Sequence, residues 1–174
     1  VRLTIEETGR NAGIVIPHFL KEKQDRTKVL LLIDNGGNSM WVHAQKVQTL
    51  FSKIKRRFPH DLKIYYFHNT IYDQVYEDES RRTPVLLRKV MENSPDNRVF
   101  IVGDSYMAPH ELLSPFGSIE FREESSTPSF DNLKTLREHF PYLVWINPTP
   151  KKYWKRTVAS YIQKVFRMEP LTIN

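Results

Sequence analysis

Cysteine is absent from this chain of 174 residues, which excludes disulfides and thiolate metal sites and fits a reducing compartment. We therefore expect a cytoplasmic protein. Long apolar runs are missing as well. Val29 to Ile33 and Tyr142 to Ile146 stop at five residues, far short of the ~20 that a membrane helix needs, so no membrane partner is expected. No signal-peptide pattern opens the chain. It starts at Val1 rather than Met, and residues 1–27 read as a lead-in, the tail of a longer N-terminal region, before a domain over 28–174. G-x-S-x-G, P-loop and G-x-G-x-x-G patterns are also lacking, which removes support for nucleophilic hydrolysis, phosphate cradling and hydride transfer. The six histidines (His18, His43, His60, His68, His110 and His139) form no H-x-x-x-H pair, so zinc is not expected.

What is present suffices for one domain with a core: 40% apolar and 12% aromatic residues. The net charge of +6 is concentrated at Lys53-Ile54-Lys55-Arg56-Arg57 and at Lys151, Lys152, Lys155 and Arg156. Such clusters suit nucleic acid or an acidic partner. They equally suit solvated helix faces and helix C-termini. The first holds no aromatic, and in the second Trp154 belongs to the apolar face of the expected last helix; neither is read as a stacking platform, so nucleic acid is not the expected partner.

Lys28-Val-Leu-Leu-Leu-Ile-Asp34 reads as the first strand of a buried parallel sheet, ending in a carboxylate and a Gly36-Gly37 turn. Ala44, Val47, Leu50, Phe51, Ile54 and Phe58 then mark an amphipathic helix. Leu62 to His68 is a strand, residues 69–82 a polar loop, and Thr83-Pro84 the N-cap and first residue of a helix carrying Leu86, Leu87, Val90 and Met91. Arg98 to Asp104 is a second strand delivering an Asp to its C-terminal end. A short helix starts at Ala108-Pro109, residues 114–128 are an irregular excursion, and Leu133, Leu136 and Phe140 mark another helix. Tyr142 to Ile146 is a strand, and Pro150 opens a last helix through Val165. In the lead-in, Ile14-Val15-Ile16 suits an edge strand. The expected fold is α/β, Rossmann-like, with a mostly parallel sheet, helices on both faces and right-handed crossovers.

Open α/β sheets bind ligands outside the carboxyl ends of their strands. Asp34 to Ser39, the Thr83 region and Asp104-Ser105 converge there. Two carboxylates ~4 Å apart at an effective dielectric near 20 repel by roughly 4 kcal/mol before screening, and a divalent cation removes that cost. Oxygen donors from Asp, Asn, Ser and Thr suit Mg²⁺ or Mn²⁺. Asn38, Ser39 and Thr83 are also ordinary helix caps, and Asp104 an ordinary turn residue. Asp34 is the harder one to dismiss, because a carboxylate closing five apolar residues needs a partner.

Three stretches carry a resemblance: Leu30-Leu-Leu-Ile-Asp-Asn-Gly-Gly-Asn-Ser-Met40, Ile64-Tyr-Tyr-Phe-His-Asn-Thr-Ile-Tyr72 and Val102-Gly-Asp-Ser-Tyr-Met-Ala-Pro109. With Phe140 to Pro148, the closing Trp154 to Thr172 and, weakly, Thr4 to Gly13, the chain resembles the CoxE-like group of von Willebrand factor A (VWA) domain proteins. The resemblance implies a VWA fold with a metal-ion-dependent adhesion site. Asp34 would be its first ligand, Asn38 or Ser39 the hydroxyl or amide position, Thr83 the threonine and Asp104 the late aspartate. The third motif position is Gly36, without a side-chain oxygen, as is often so in the family; the fifth is Asn38 where the family usually has Ser, with Ser39 immediately after, so the site is degenerate. Such domains bind rather than catalyse, an acidic residue of a partner completing the metal, and relatives are associated with MoxR-type AAA+ ATPases in protein assembly or remodelling. The competing reading is a PIN/NYN-like metal-dependent ribonuclease, which also starts from an apolar strand into Asp-x-x-Asn. That pattern wants an Asp two residues after Asp104, where Tyr106 stands, and a mid-chain acid, for which only Asp73, Glu77, Asp78 and Glu79 are available.

Overall fold

The computed structural model describes residues 28–172; the lead-in, with the strand expected at Ile14 to Ile16, lies outside them. Seven strands, β1 (Val29–Asp34), β2 (Leu62–Phe67), β3 (Gln74–Tyr76), β4 (Pro84–Leu86), β5 (Arg98–Val102), β6 (Leu143–Asn147) and β7 (Arg167–Pro170), form one sheet in the order β4-β3-β2-β1-β5-β6-β7. The fold is α/β and Rossmann-like, its sheet mostly parallel. β1 lies at the centre, paired in parallel with β2 on one side and β5 on the other. All six of its residues are buried, as a strand covered on both faces requires.

Side chains alternate across a strand, so β1 feeds two cores. Leu31 and Ile33 pack with Met40 of α1 (Gly37–Trp41) and Val47 of α2 (Ala44–Arg57). Leu30 and Leu32 face the larger core. That core takes Leu87 and Val90 of α3 (Leu87–Val90), Leu112 of α4 (Pro109–Leu113), Leu133 and Leu136 of α5 (Ser129–His139), and Ile162 of α6 (Ala159–Ile162). Helices thus cover both faces. Lys55, Arg56 and Arg57 fall in the last turn of α2, where their charges complement the helix dipole.

Three expectations fail. Residues 69–82 are not all loop: Val75 is fully buried in β3, an antiparallel neighbour of β2. Thr83-Pro84 opens no helix. Pro84 starts edge strand β4, antiparallel to β3, and α3 begins only at Leu87. Proline is tolerated there because an edge strand does not require its missing N–H. The last helix is broken into a 3₁₀ turn (Lys151–Arg156) and α6, and the chain ends in strand β7, parallel to β6. Among the described residues no helix is long and apolar enough to cross a membrane.

The chain leaves β1 for β2 on one side and returns through β5 on the other. The crevice between the ends of β1 and β5 is therefore the topological switch point of the sheet. Asp34 and Asp104 flank it. Because Leu32 is fully buried at the middle of β1, Leu32→Ala should cost about 2–5 kcal/mol in urea unfolding. A loss under about 1 kcal/mol would contradict β1 as the centre of the core.

Candidate functional site

Asp34 is the last residue of β1 and 2% exposed. Its Oδ1 accepts hydrogen bonds from the backbone N–H of Gly36 (3.0 Å) and of Asn69 (3.1 Å). Its Oδ2 is buried without a hydrogen-bond partner. Asp104, two residues past β5 and 3% exposed, is built alike. Its Oδ1 accepts from the Tyr106 N–H (2.9 Å), and its Oδ2 is also buried and unpartnered. Each aspartate uses one oxygen to close the turn that follows it and leaves the other bare. Burial, and next the charge of Asp104, push the Asp34 carboxyl well above the ordinary aspartate range, against the two N–H donors and the Arg81 charge.

Gly103 sets how close these strand ends come. A Cβ there would sit 3.2 Å from Trp145 Cζ2 and 3.3 Å from Asp34 Cβ. Trp145, fully buried, donates from Nε1 to the Gly103 carbonyl (2.8 Å). Asn147, at the end of β6 and also fully buried, donates from Nδ2 to the Asp104 carbonyl (3.1 Å) and Ser105 Oγ (3.3 Å). These bonds hold the Asp104 turn while Ser105 takes a positive φ of 58°, a conformation uncommon for a residue with a side chain.

The Asp34 turn is fixed by residues that follow β2. Asn69 has φ 59° and donates from Nδ2 to Glu111 Oε1 (2.8 Å), while Glu111 Oε2 accepts the Ala108 N–H (2.8 Å). The His68 ring lies against Gly36: a Cβ at that position would be 1.8 Å from His68 Cδ2. That packing is why the third position of the loop carries no side chain. His68 itself is buried, and its Nδ1 lies 3.6 Å from Glu120 Oε1.

The five residues expected at the site are placed differently from one another. Asp34 and Asp104 face the switch point. Ser39 is half-buried and lines the same cleft as Asp104, together with His43 and Thr149. Asn38 is exposed and lines neither that cleft nor the apolar one beside Asp34. Neither residue caps α1 with its side chain; the N-cap is Gly36. Thr83 is exposed, its N–H donating to Asp78 Oδ2 (2.7 Å). Asp78, held well below its ordinary pKa by the hydroxyl of Ser80 and the N–H groups of Arg82 and Thr83, closes the loop 77–83. Among the described residues no hydrogen bond joins Thr83 to either aspartate, nor does it cap a helix.

Asn69, Glu111, His68 and Asn147 do not stand out as site residues in the sequence. They act through the backbone they hold, and nothing in their spacing betrays that. The strand-end Phe67-His68-Asn69-Thr70 cluster is the one signal that points toward them.

Among the described residues no three His, Asp or Glu side chains gather to cage a metal. The donors present are two bare carboxylate oxygens, with Ser39 lining the same cleft as Asp104. Hard, oxygen-only donors of this kind fit Mg²⁺ or Mn²⁺, which keep several waters. No protein-family model, no curated protein and no solved structure matches this chain.

A carboxyl whose folded pKa is raised binds more protons folded than unfolded, so stability falls as pH rises from about 3.8 to the folded value and stays reduced above it. Asp34→Asn should therefore raise the melting temperature at pH 7 in EDTA and flatten the fall in stability on the alkaline side of pH 3.8. A lower melting temperature in EDTA would show that the ionised carboxylate is already satisfied within the protein.

Proposed function

We propose that the chain is a non-catalytic, protein-binding VWA-type module of the CoxE-like group, with a degenerate metal-ion-dependent adhesion site at the switch point of its sheet. The observation that carries this reading is the pair of buried aspartates, Asp34 and Asp104, each with one oxygen bonded to backbone N–H and one bare. The resemblance along the sequence supports it, and the mostly parallel α/β sheet is the architecture that the resemblance implies.

In this reading Asp34, Asp104 and Ser39 hold Mg²⁺ or Mn²⁺, with Thr83 or Asn38 joining only if their loops move. When bound, the cation supplies a Lewis-acid position that an acidic residue of a partner completes. The chain's own contribution is to hold Oδ2 of both aspartates free while their other oxygens fix the turns. We further propose that the module works in the cytoplasm with a MoxR-type AAA+ ATPase in assembling or remodelling other proteins.

Binding is favoured over RNA cleavage because two-metal hydrolysis needs several carboxylates around the ions. Tyr106, where a nuclease would want a third Asp, is 62% exposed, its N–H held by Asp104.

Calorimetric titration with Mg²⁺ and Mn²⁺ tests the reading. Saturable binding should be seen in the wild type and lost in Asp104→Ala. At a hundredfold excess over Kd the cation should stabilise the fold by about 2.7 kcal/mol. Heat that is unchanged in Asp104→Ala would place the cation elsewhere and end the adhesion-site reading.

A further inference from the structure

The cleft beside Asp104 has a volume of roughly 460 Å³, within the range that accepts a ligand or a large side chain with its backbone. Its walls are unusual. Val42, Tyr106 and Tyr153 are 79%, 62% and 42% exposed, and all three line it with Pro150. Single exposed apolar residues are ordinary on a protein surface. Three around one cleft, next to a buried carboxylate with a bare oxygen, are not.

The two tyrosines stand on anchored backbone. The Tyr106 backbone N–H donates to Asp104 Oδ1, tying this stretch of backbone to the aspartate (2.9 Å). The Tyr153 N–H donates to the Pro150 carbonyl (2.9 Å), and the next residue, Trp154, is buried with its Nε1 donating to the Thr149 carbonyl (2.7 Å). Surfaces fixed before binding lose less entropy on complex formation.

Apart from Asp104, the charge around the cleft is positive. Asp104 is its only acidic lining residue, while Arg156 forms part of the wall. Among the described residues no ion pair engages Arg156, and exposed Lys151, Lys152 and Lys155 share its 3₁₀ turn.

We propose that this cleft sets the partner's identity: it takes an extended acidic segment of a partner protein. In that segment the residue completing the cation is followed by a large apolar side chain seated between Tyr106 and Tyr153, then by a second carboxylate on Arg156. This rests on the adhesion-site reading and specifies its ligand. A lone carboxylate would satisfy the cation but leave Val42, Tyr106 and Arg156 uncontacted and Tyr153 with only the Lys152 ammonium over its ring (4.9 Å).

Fluorescence anisotropy with fluorescein-labelled Gly/Ser peptides tests it, one peptide carrying Asp alone and the other Asp followed by Phe and Glu. In Mg²⁺ the second should bind about tenfold tighter than the first. Tyr153→Ala and Arg156→Glu should each erase that advantage while leaving the Mg²⁺ titration unchanged; both side chains are exposed, so the fold should be unaffected. Equal affinity for both peptides would overturn the cleft proposal while the adhesion site stands. No difference between wild type and Asp104→Ala with either peptide would remove the adhesion site, and the proposal with it. Tighter binding of labelled oligouridylate than of either peptide, lost in Arg156→Glu, would overturn the proposal in favour of an RNA surface.

Discussion

Burial of two acids, Asp34 and Asp104, at the ends of neighbouring strands is the constraint on which the carboxyl edge of this sheet is built, and at Asp34 the charge of Asp104 adds to it. Both carboxylates are almost wholly buried, and burial alone already disfavours the charged form. Such a pair persists only where surrounding groups fix it in place. The N–H groups of Gly36, Asn69 and Tyr106 do part of this, and the Arg81 charge lowers the Asp34 penalty further. The arrangement remains under tension. Each acid of the pair keeps one buried oxygen that no donor reaches.

Around that pair the structure divides into layers of support. The turns are the inner layer. Behind them come Asn69 and Glu111 on one side, bonded to each other with Glu111 also accepting the Ala108 N–H, and Asn147 with Trp145 on the other, donating to the Asp104 and Gly103 carbonyls. Fully satisfied buried polar networks define one geometry where an apolar core would tolerate several. The apolar cores on the two faces of β1 then hold the strand ends in register. The candidate site and the stability of the fold thus meet in β1, whose side chains fill both cores and whose last residue is Asp34.

This centre is plain in the sequence. Five apolar residues closed by Asp34 suit a buried parallel strand and little else, and the matching element ending at Asp104 places the second acid. The helical periodicity of α2 is equally plain. What is not legible depends on contacts distant in sequence. β3 is three residues long within a polar stretch, and its identity comes from pairing with β2 and β4. Thr83-Pro84 has the local chemistry of a helix start, yet Asp78 takes the Thr83 N–H and the edge of the sheet takes Pro84. β7 is hidden because Arg167 to Pro170 alternates only once between buried and exposed positions before proline. Asn69 reads as any loop residue would; only its positive φ and its bond to Glu111 set it apart.

The interlock between Gly36 and His68 bears on how such a loop can change over evolutionary time. The imidazole occupies the space in which any side chain at position 36 would begin. A serine at position 36 would therefore collide with the imidazole where it now stands. Position 68 would first have to shrink, giving up its contact with Glu120, before position 36 could gain an oxygen. Routes that require a damaging first step are seldom taken. The two residues hold each other in place, so a change at position 36 is a change at position 68 as well.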